Sequence, residues 1–339
     1  MLLQIGLRPG IGQRLPWTRP RRAGVRSNRL RGMLDWSVAF GRAVVAVLQI
    51  RYFAGATDKP MDFHCLGTAG YHPNRSRHTS CYCVPQCGLV LDAGTGLFRL
   101  TELIETDHLD ILISHAHLDH IAGLTFLLDV LHCRSVAGRP VDQVRVFGEA
   151  AKLDAIQTHL FADLIFPAPL DVQWVTIDDT PEFSAAGATV SWRRQPHPGG
   201  SVAYRLDWPA VASCQAKRLV YATDTSGLTD PQDITWFGGD ADTAGGIAAN
   251  AGSGAAASVP DLMVHECYFR DTHRQWAEKT GHSWTSRIAE LAALIRPQRL
   301  LLTHINPLDE SVDPVDSENI RKTFYGELMI AQDGLKVSF

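Results

Sequence analysis

Short apolar runs, each closing on glycine or a polar turn, recur through most of this chain. Strand-like segments stand at 89–92, 110–114, 144–147, 172–177, 188–193, 201–206, 218–223, 262–268 and 300–303. Between them, apolar residues at helical spacing predict helices near 117–133, 149–161, 284–295 and 317–324. The runs are too short for buried helices and are rich in Leu, Ile and Val, as strands in a sheet interior are. Their interleaving with helices predicts an α/β architecture in which helices cover sheets. Residues 238–260 are rich in Gly and Ala, lack a periodic apolar face and read as a flexible insertion.

One junction carries chemistry. The run Leu109-Asp110-Ile111-Leu112-Ile113-Ser114 leads into His115-Ala116-His117-Leu118-Asp119-His120. Strand periodicity puts His115 and His117 on one side, and the following turn swings Asp119 and His120 to a neighbouring position. A lone histidine at a strand end is usually an ordinary polar residue. Three with an aspartate in six positions make a place for two metal ions, which polarise a scissile phosphoryl or acyl group and activate water.

This run resembles the metal-binding signature of the metallo-β-lactamase superfamily, and the resemblance extends over most of residues 61–339. Met61–Gly70, with Leu66-Gly67-Thr68, looks like the first strand and glycine turn of the ribonuclease Z and phosphodiesterase branch. Leu89–Gly96 looks like the strand and Asp-x-Gly turn that precede the metal motif. The resemblance implies an αββα sandwich of two mixed sheets with helices outside. It also implies the remaining ligands: His197 before the strand at 201–206, Asp224 as the bridging carboxylate after 219–223, and His304 after 300–303. One ion would take His115, His117, His197 and Asp224, and the other Asp119, His120, Asp224 and His304. Zinc is the default for such a set, with manganese or iron as alternatives.

Two further segments match the ribonuclease Z branch. Val264–Tyr268 resembles its His-Glu strand, and Gly281-His282-Ser283 resembles the segment that opens a helix there, with Ser283 as N-cap. His282 is the expected leaving-group acid, and Asp119 is expected to accept a hydrogen bond from the attacking water. Departures matter too. The branch places an acidic residue three positions before the bridging aspartate to orient that histidine, and here Tyr221 stands there, so the acid–base pair is expected to be incomplete. The long arm that grips the tRNA elbow has no room in the 26 residues between His197 and Asp224. The segment 328–337, with Asp333-Gly334 as its turn, looks like the family's closing hairpin.

The expected activity is hydrolysis of a small or cyclic phosphodiester by water activated at a dinuclear metal centre. A ribonuclease Z-like tRNA 3′ endonuclease, a glyoxalase II-like thioesterase or lactonase, and a non-catalytic metal-binding module are the alternatives. Charge supports the small substrate. Residues 1–60 carry 11 basic and 2 acidic residues, leaving 21 basic and 34 acidic over 61–339, a poor field for a polyanion. Local pairs, Arg75 with Arg77 and Arg193-Arg194, are candidates to meet a phosphate.

The arginine-rich leader, 1–60, is read as disordered or as sequence upstream of the true start, because Met61 opens directly into the first family-like strand. A nucleic-acid or membrane-surface tail and a targeting segment are the other readings of it. No apolar run approaches the roughly 18 residues of a membrane span. The seven cysteines are an odd number, and with no secretory signal they point to the reducing cytoplasm. Cys81, Cys83 and Cys87 form the one cluster, read either as a structural metal site or as buried thiols. A homodimer is compatible with all of this.

Overall fold

Strands buried on both faces become the middle of a sheet, and here they come in two sets. In the computed structural model, which describes residues 61–210, 215–228, 230–238 and 259–339, the apolar runs β3 (Leu89–Leu91), β4 (His108–Leu112) and β5 (Gln143–Gly148) lie parallel. They are flanked by β14 (Lys336–Ser338), β1 (Asp62–Gly67) and β2 (Cys81–Val84) on one side and β6 (Gln173–Thr176) on the other. The second sheet runs β13 (Glu327–Ile330), β12 (Arg299–Thr303), β11 (Leu262–Glu266), β10 (Lys217–Ala222), β9 (Ser201–Trp208), β8 (Ala188–Gln195), β7 (Glu182–Ala185). Each sheet has seven strands and mixes parallel with antiparallel pairs.

Between the sheets lie Phe63, Leu89, Leu91, Leu206 and Val264 with Tyr82, Tyr204 and Tyr221. Each buried phenol finds a partner, as burial requires: Tyr204 donates to the Ile113 carbonyl at 2.8 Å and Tyr221 to Asp92 Oδ2 at 2.6 Å, while Tyr82 meets the Thr303 hydroxyl. Helices cover the outer faces. Residues Leu124, Leu127 and Val130 of the segment after the metal motif pack on Val90, Ile111 and Val146. Helices α4 (Pro231–Phe237) and α6 (Thr285–Ile295) set Ile234, Phe237, Ile288, Leu291 and Ile295 against Val220, Met263 and Leu302. Fully burying each such side chain contributes about 1.5–3 kcal/mol. The result is the expected αββα sandwich.

The helix predicted over 117–133 is broken in three: α1 (Leu118–Ile121), a 3₁₀ turn (Ala122–Phe126) and α2 (Leu127–Val136). Gly123 is the cause. Its N–H donates to the Ala93 carbonyl at 2.7 Å, and a Cβ there would stand 2.0 Å from the Gly94 carbonyl oxygen, so the chain tightens against the Ala93-Gly94 turn. Helix α3 (Ala150–Ala155) likewise passes into a π turn (Ile156–Leu160). Among the described strands and α-helices, three have no counterpart in the apolar pattern: the edge strand β7, α4, and α5 (Arg274–Thr280). All three are short and mix polar with apolar residues.

The closing hairpin does not form. β13 pairs parallel with β12 in the second sheet, whereas β14 pairs antiparallel with β1 in the first, so residues 331–335 cross the sandwich. Asp333-Gly334 does form the expected turn, with Gly334 at φ +86°, but its partners pull it under β1. Asp333 Oδ1 accepts from the Thr68 hydroxyl at 2.8 Å, and Oδ2 accepts from the His78 N–H and Arg99, both at 2.7 Å. Asp333→Ala strands these donors, two of them little exposed. A loss of about 2–3 kcal/mol is expected, read as a lower urea midpoint at unchanged m; an unshifted midpoint would show that the crossing does not depend on this carboxylate.

Residues 1–60 and most of the expected insertion, 239–258, lie outside the described residues. Among the described residues no helix is long and apolar enough to cross a membrane.

Candidate metal centre

Parallel strands end on the same edge, and at that edge the two sheets deliver their polar residues to one point. The turn after β4 carries His115, His117, Asp119 and His120, that after β8 carries His197, that after β10 carries Asp224, and that after β12 carries His304. The backbone is bent to do so. Seven non-glycine residues among those described have positive φ, and Asp92, Asp224, His304 and Tyr71 are four of them. Such conformations are costly and gather at functional sites.

Asp224 stands in the middle, buried, with its two oxygens facing opposite ways. Oδ1 is 3.7 Å from His115 Nε2 and 3.5 Å from His197 Nε2, and Oδ2 is 3.0 Å from His120 Nε2 and 3.2 Å from His304 Nε2. His117 Nδ1 closes the first group at 3.3 Å from His197 Nε2. Asp119 Oδ2 closes the second, 3.2 Å from His120 and 3.3 Å from His304. Ligand atoms within each of the groups His115, His117, His197, Asp224 and Asp119, His120, His304 lie within 4.8 Å of one another.

The surrounding hydrogen bonds leave these atoms free to act as ligands. Asp92, fully buried, accepts from His120 Nδ1 at 2.7 Å, from the Ser114 N–H and hydroxyl, and from Tyr221. His197 Nδ1 donates to the Gly281 carbonyl at 3.1 Å. Each ring thereby gives its proton away from the cluster and keeps a lone pair toward it. His115 Nε2 is buried and has no hydrogen-bond partner, an acceptor that a cation would satisfy. The donor set therefore fits divalent metal.

Charge states follow the same division. Burial holds His115, His117 and His197 below the ordinary imidazole range and hence neutral. Burial alone would raise the Asp119 and Asp224 carboxyls, but the histidines around them hold both well below the usual carboxylate range. His120 goes the other way. Burial opposes its protonation, yet Asp224, Asp119 and Asp92 outweigh it and push its pKa up, the same negative charge that would favour a cation among them.

His282 lies beside this cluster, within ligand distance of Asp224 and His304. Its Nδ1 donates to Glu266 Oε2 at 3.1 Å, and Tyr268 stacks on its ring with centroids 4.6 Å apart. Burial works against the imidazolium, but the adjoining Glu266 carboxylate prevails and holds the pKa up at about 9. The acid–base pair is thus complete, against the expectation drawn from Tyr221. β10 and β11 are parallel neighbours with Ala222 opposite His265, so Glu266 reaches from the next strand the place that Tyr221 cannot. Glu266 is the residue that sequence reasoning passed over. Its signal was an acid closing the apolar strand Leu262–Glu266, where a fully buried carboxylate needs a partner.

Other expectations are corrected. Ser283 does not cap α6: its hydroxyl donates to the Thr225 carbonyl at 2.6 Å, and the Ser286 N–H is taken by Asp271 instead. Arg77 is turned into the sandwich, donating to Thr68 Oγ1 and the Ala331 carbonyl, and Arg194 pairs with Glu149, so neither pair stands ready for a phosphate. Cys81 and Cys83 are buried in β2, and burial pushes the Cys87 thiol up to about 12. Among the described residues no candidate metal group includes a cysteine.

Residues 89–305, about two thirds of the chain, match the family model described as beta-lactamase superfamily domain. The chain belongs to the beta-lactamase superfamily. Within the superfamily it is 23% identical over 302 residues to a protein of Methanosarcina acetivorans named ribonuclease Z, an alignment covering 79% of this chain and 94% of that one. The fold is similar to that of the metallo-beta-lactamase fold protein YhfI from Bacillus subtilis, with a TM-score of 0.59 and 20% identity over 83% of this chain and all of that one. It is also similar to human tRNase Z, short form, at a TM-score of 0.56 and 19% identity, covering 82% of this chain and 99% of that one. The metallo-β-lactamase sandwich is the one that the metal motif implied, and the ribonuclease Z-like relatives are those implied by the Leu66-Gly67-Thr68 and Gly281-His282-Ser283 segments.

Proposed function

We propose that this superfamily member is a metal-dependent phosphodiesterase acting on small or cyclic phosphodiesters. The observation that carries the reading is a bridging carboxylate, Asp224, between two ligand groups, with the Glu266–His282 pair alongside. His115, His117, His197 and Asp224 would hold one ion, and Asp119, His120, Asp224 and His304 the other. Bound there, two divalent ions, zinc by preference for imidazole and carboxylate donors, would polarise the phosphoryl group and lower the pKa of water.

The chain's own residues supply the rest. Asp119, held ionised by His120 and His304, accepts a hydrogen bond from the attacking water and orients it. His282, protonated and fixed through Nδ1 by Glu266, presents Nε2 to the departing oxygen and gives it a proton. His117 is exposed and His197 and His282 half-buried, so the substrate approaches from their side. The acidic body and the short β9–β10 connection favour a small substrate. A second reading, tRNA 3′ processing, rests on the relatives named ribonuclease Z.

A panel of bis(p-nitrophenyl) phosphate, cyclic nucleotides, pre-tRNA and a thioester, run on protein whose metal content has been measured, separates these readings. Hydrolysis of the small diesters without cut pre-tRNA is expected. Fully loaded protein that cleaves only the thioester, or only pre-tRNA, removes the proposal.

The acid role makes a prediction of its own. In Glu266→Gln the anion that stabilises the imidazolium is gone, so the His282 pKa falls and less of it is protonated at any pH above neutrality. The alkaline limb of kcat should move to lower pH for diesters with alkyl leaving groups. A limb that stays in place while metal content is unchanged counts against His282 as proton donor.

A further inference from the structure

Where β1 leaves the first sheet, the chain passes against the metal centre before turning outward. Gly70 is pressed on His304, since a Cβ there would lie 2.4 Å from the imidazole ring. The next residue, Tyr71, takes φ +62°, a conformation that a bulky L-residue adopts only when its surroundings impose it. The Tyr71 N–H donates to Asp119 Oδ2 at 2.7 Å, so the backbone is tied to a candidate ligand while the side chain is thrown out at the mouth of the cleft, 74% exposed.

The ring gains little from the fold in that position. Its one ring neighbour among the described residues is His72, edge-on at 5.1 Å. The loop behind it is nonetheless rigid. Asn74 Oδ1 accepts from the N–H groups of Ser76 and Arg77 at 3.0 and 2.9 Å, Asn74 Nδ2 donates to the Pro307 carbonyl, and Arg77 anchors to Thr68. An exposed aromatic ring on a strained, well-braced backbone next to the reacting centre is preorganised for a ligand rather than for packing.

We propose that Tyr71 is a stacking platform for a planar ring borne by the substrate, so that the preferred diester carries a heterocyclic base and not a sugar phosphate alone. The inference rests on the phosphodiesterase reading and narrows its substrate class. Stacking suits the role because every base offers a π-face, and one such contact changes affinity by about tenfold or more. The faces of the second tyrosine at the site, Tyr268, are differently engaged, with one stacked on His282. Tyr71 is the ring left open.

The test compares 2′,3′-cyclic AMP with ethylene phosphate, a cyclic diester without a ring to stack, on metal-loaded full-length protein and the variants Tyr71→Ala and Tyr71→Phe. In the wild type, kcat/KM should favour the nucleotide. Tyr71→Ala should cut that preference by about tenfold, through KM, and Tyr71→Phe should restore it. An unchanged ratio in Tyr71→Ala, or equal losses on both diesters, overturns the platform while leaving the phosphodiesterase reading intact. If neither diester is hydrolysed the phosphodiesterase reading falls, and equilibrium binding of adenosine 5′-monophosphate then decides for the platform alone: weaker binding to Tyr71→Ala supports it, and equal binding overturns it.

Discussion

Asp224→Ala should leave a folded protein that holds at most one metal ion per chain and has lost about a thousandfold or more of its diesterase activity. Among the described residues no other side chain serves both halves of the centre, since its two oxygens face His115 and His197 on one side and His120 and His304 on the other. Loss of a residue that merely supports a ligand already costs about 10–100-fold in metal affinity or activity, and a shared ligand stands one step closer. The fold should survive, because the sheets close over Phe63, Tyr82, Leu206 and Val264, away from this carboxylate. Metal content, activity and circular dichroism on one preparation check the result. A variant with two ions and an ordinary rate would sink the dinuclear assignment.

The second large effect belongs to His282. A positioned general acid is worth about 10²–10⁴-fold when the leaving group is a poor one, and little when the leaving group departs unaided. His282→Ala should therefore lose activity in that range on alkyl or ribose diesters and about tenfold or less on bis(p-nitrophenyl) phosphate. The comparison also settles another use of the same ring. His282 lies within ligand distance of Asp224 and His304, and if it served as a ligand its removal would lower metal content and depress both substrates alike. The leaving-group dependence, with metal content unchanged, is the signature of proton donation.

Legibility followed locality. The metal motif could be read because its residues are neighbours in sequence and sit where an apolar strand stops, so periodicity places them without knowledge of the fold. His197, Asp224 and His304 were legible only as strand-end residues in the order that the family resemblance implied, and the geometry sets their ring nitrogens and carboxylate oxygens against the motif's own. Glu266 was not legible as the partner of His282, because what joins them is the bridge of Phe269 to Trp284, which lays the segment after β11 against the start of α6 and follows no local periodicity. The false hairpin at 328–337 has the same origin. Local pattern identified two strands and a turn, but which sheet each strand joins is decided by Arg99, Thr68 and His78, more than 230 positions away. Short amphipathic elements such as α4 and α5 were lost because seven residues hold too few apolar positions to define a face.

That crossing at residues 331–335 has a bearing on how the protein is made. β1 is the first described strand, and its outer edge is covered only when residues 336–338 arrive to pair with 62–64, with Ser338 hydrogen-bonded to Asp62 across 276 positions. On the ribosome the two sheets can grow outward from their middles, but this edge of β1 must wait for β14 until nearly everything between has been synthesised. Until β14 has been made, that strand edge invites intermolecular pairing, the kind of exposure that chaperones are suited to cover.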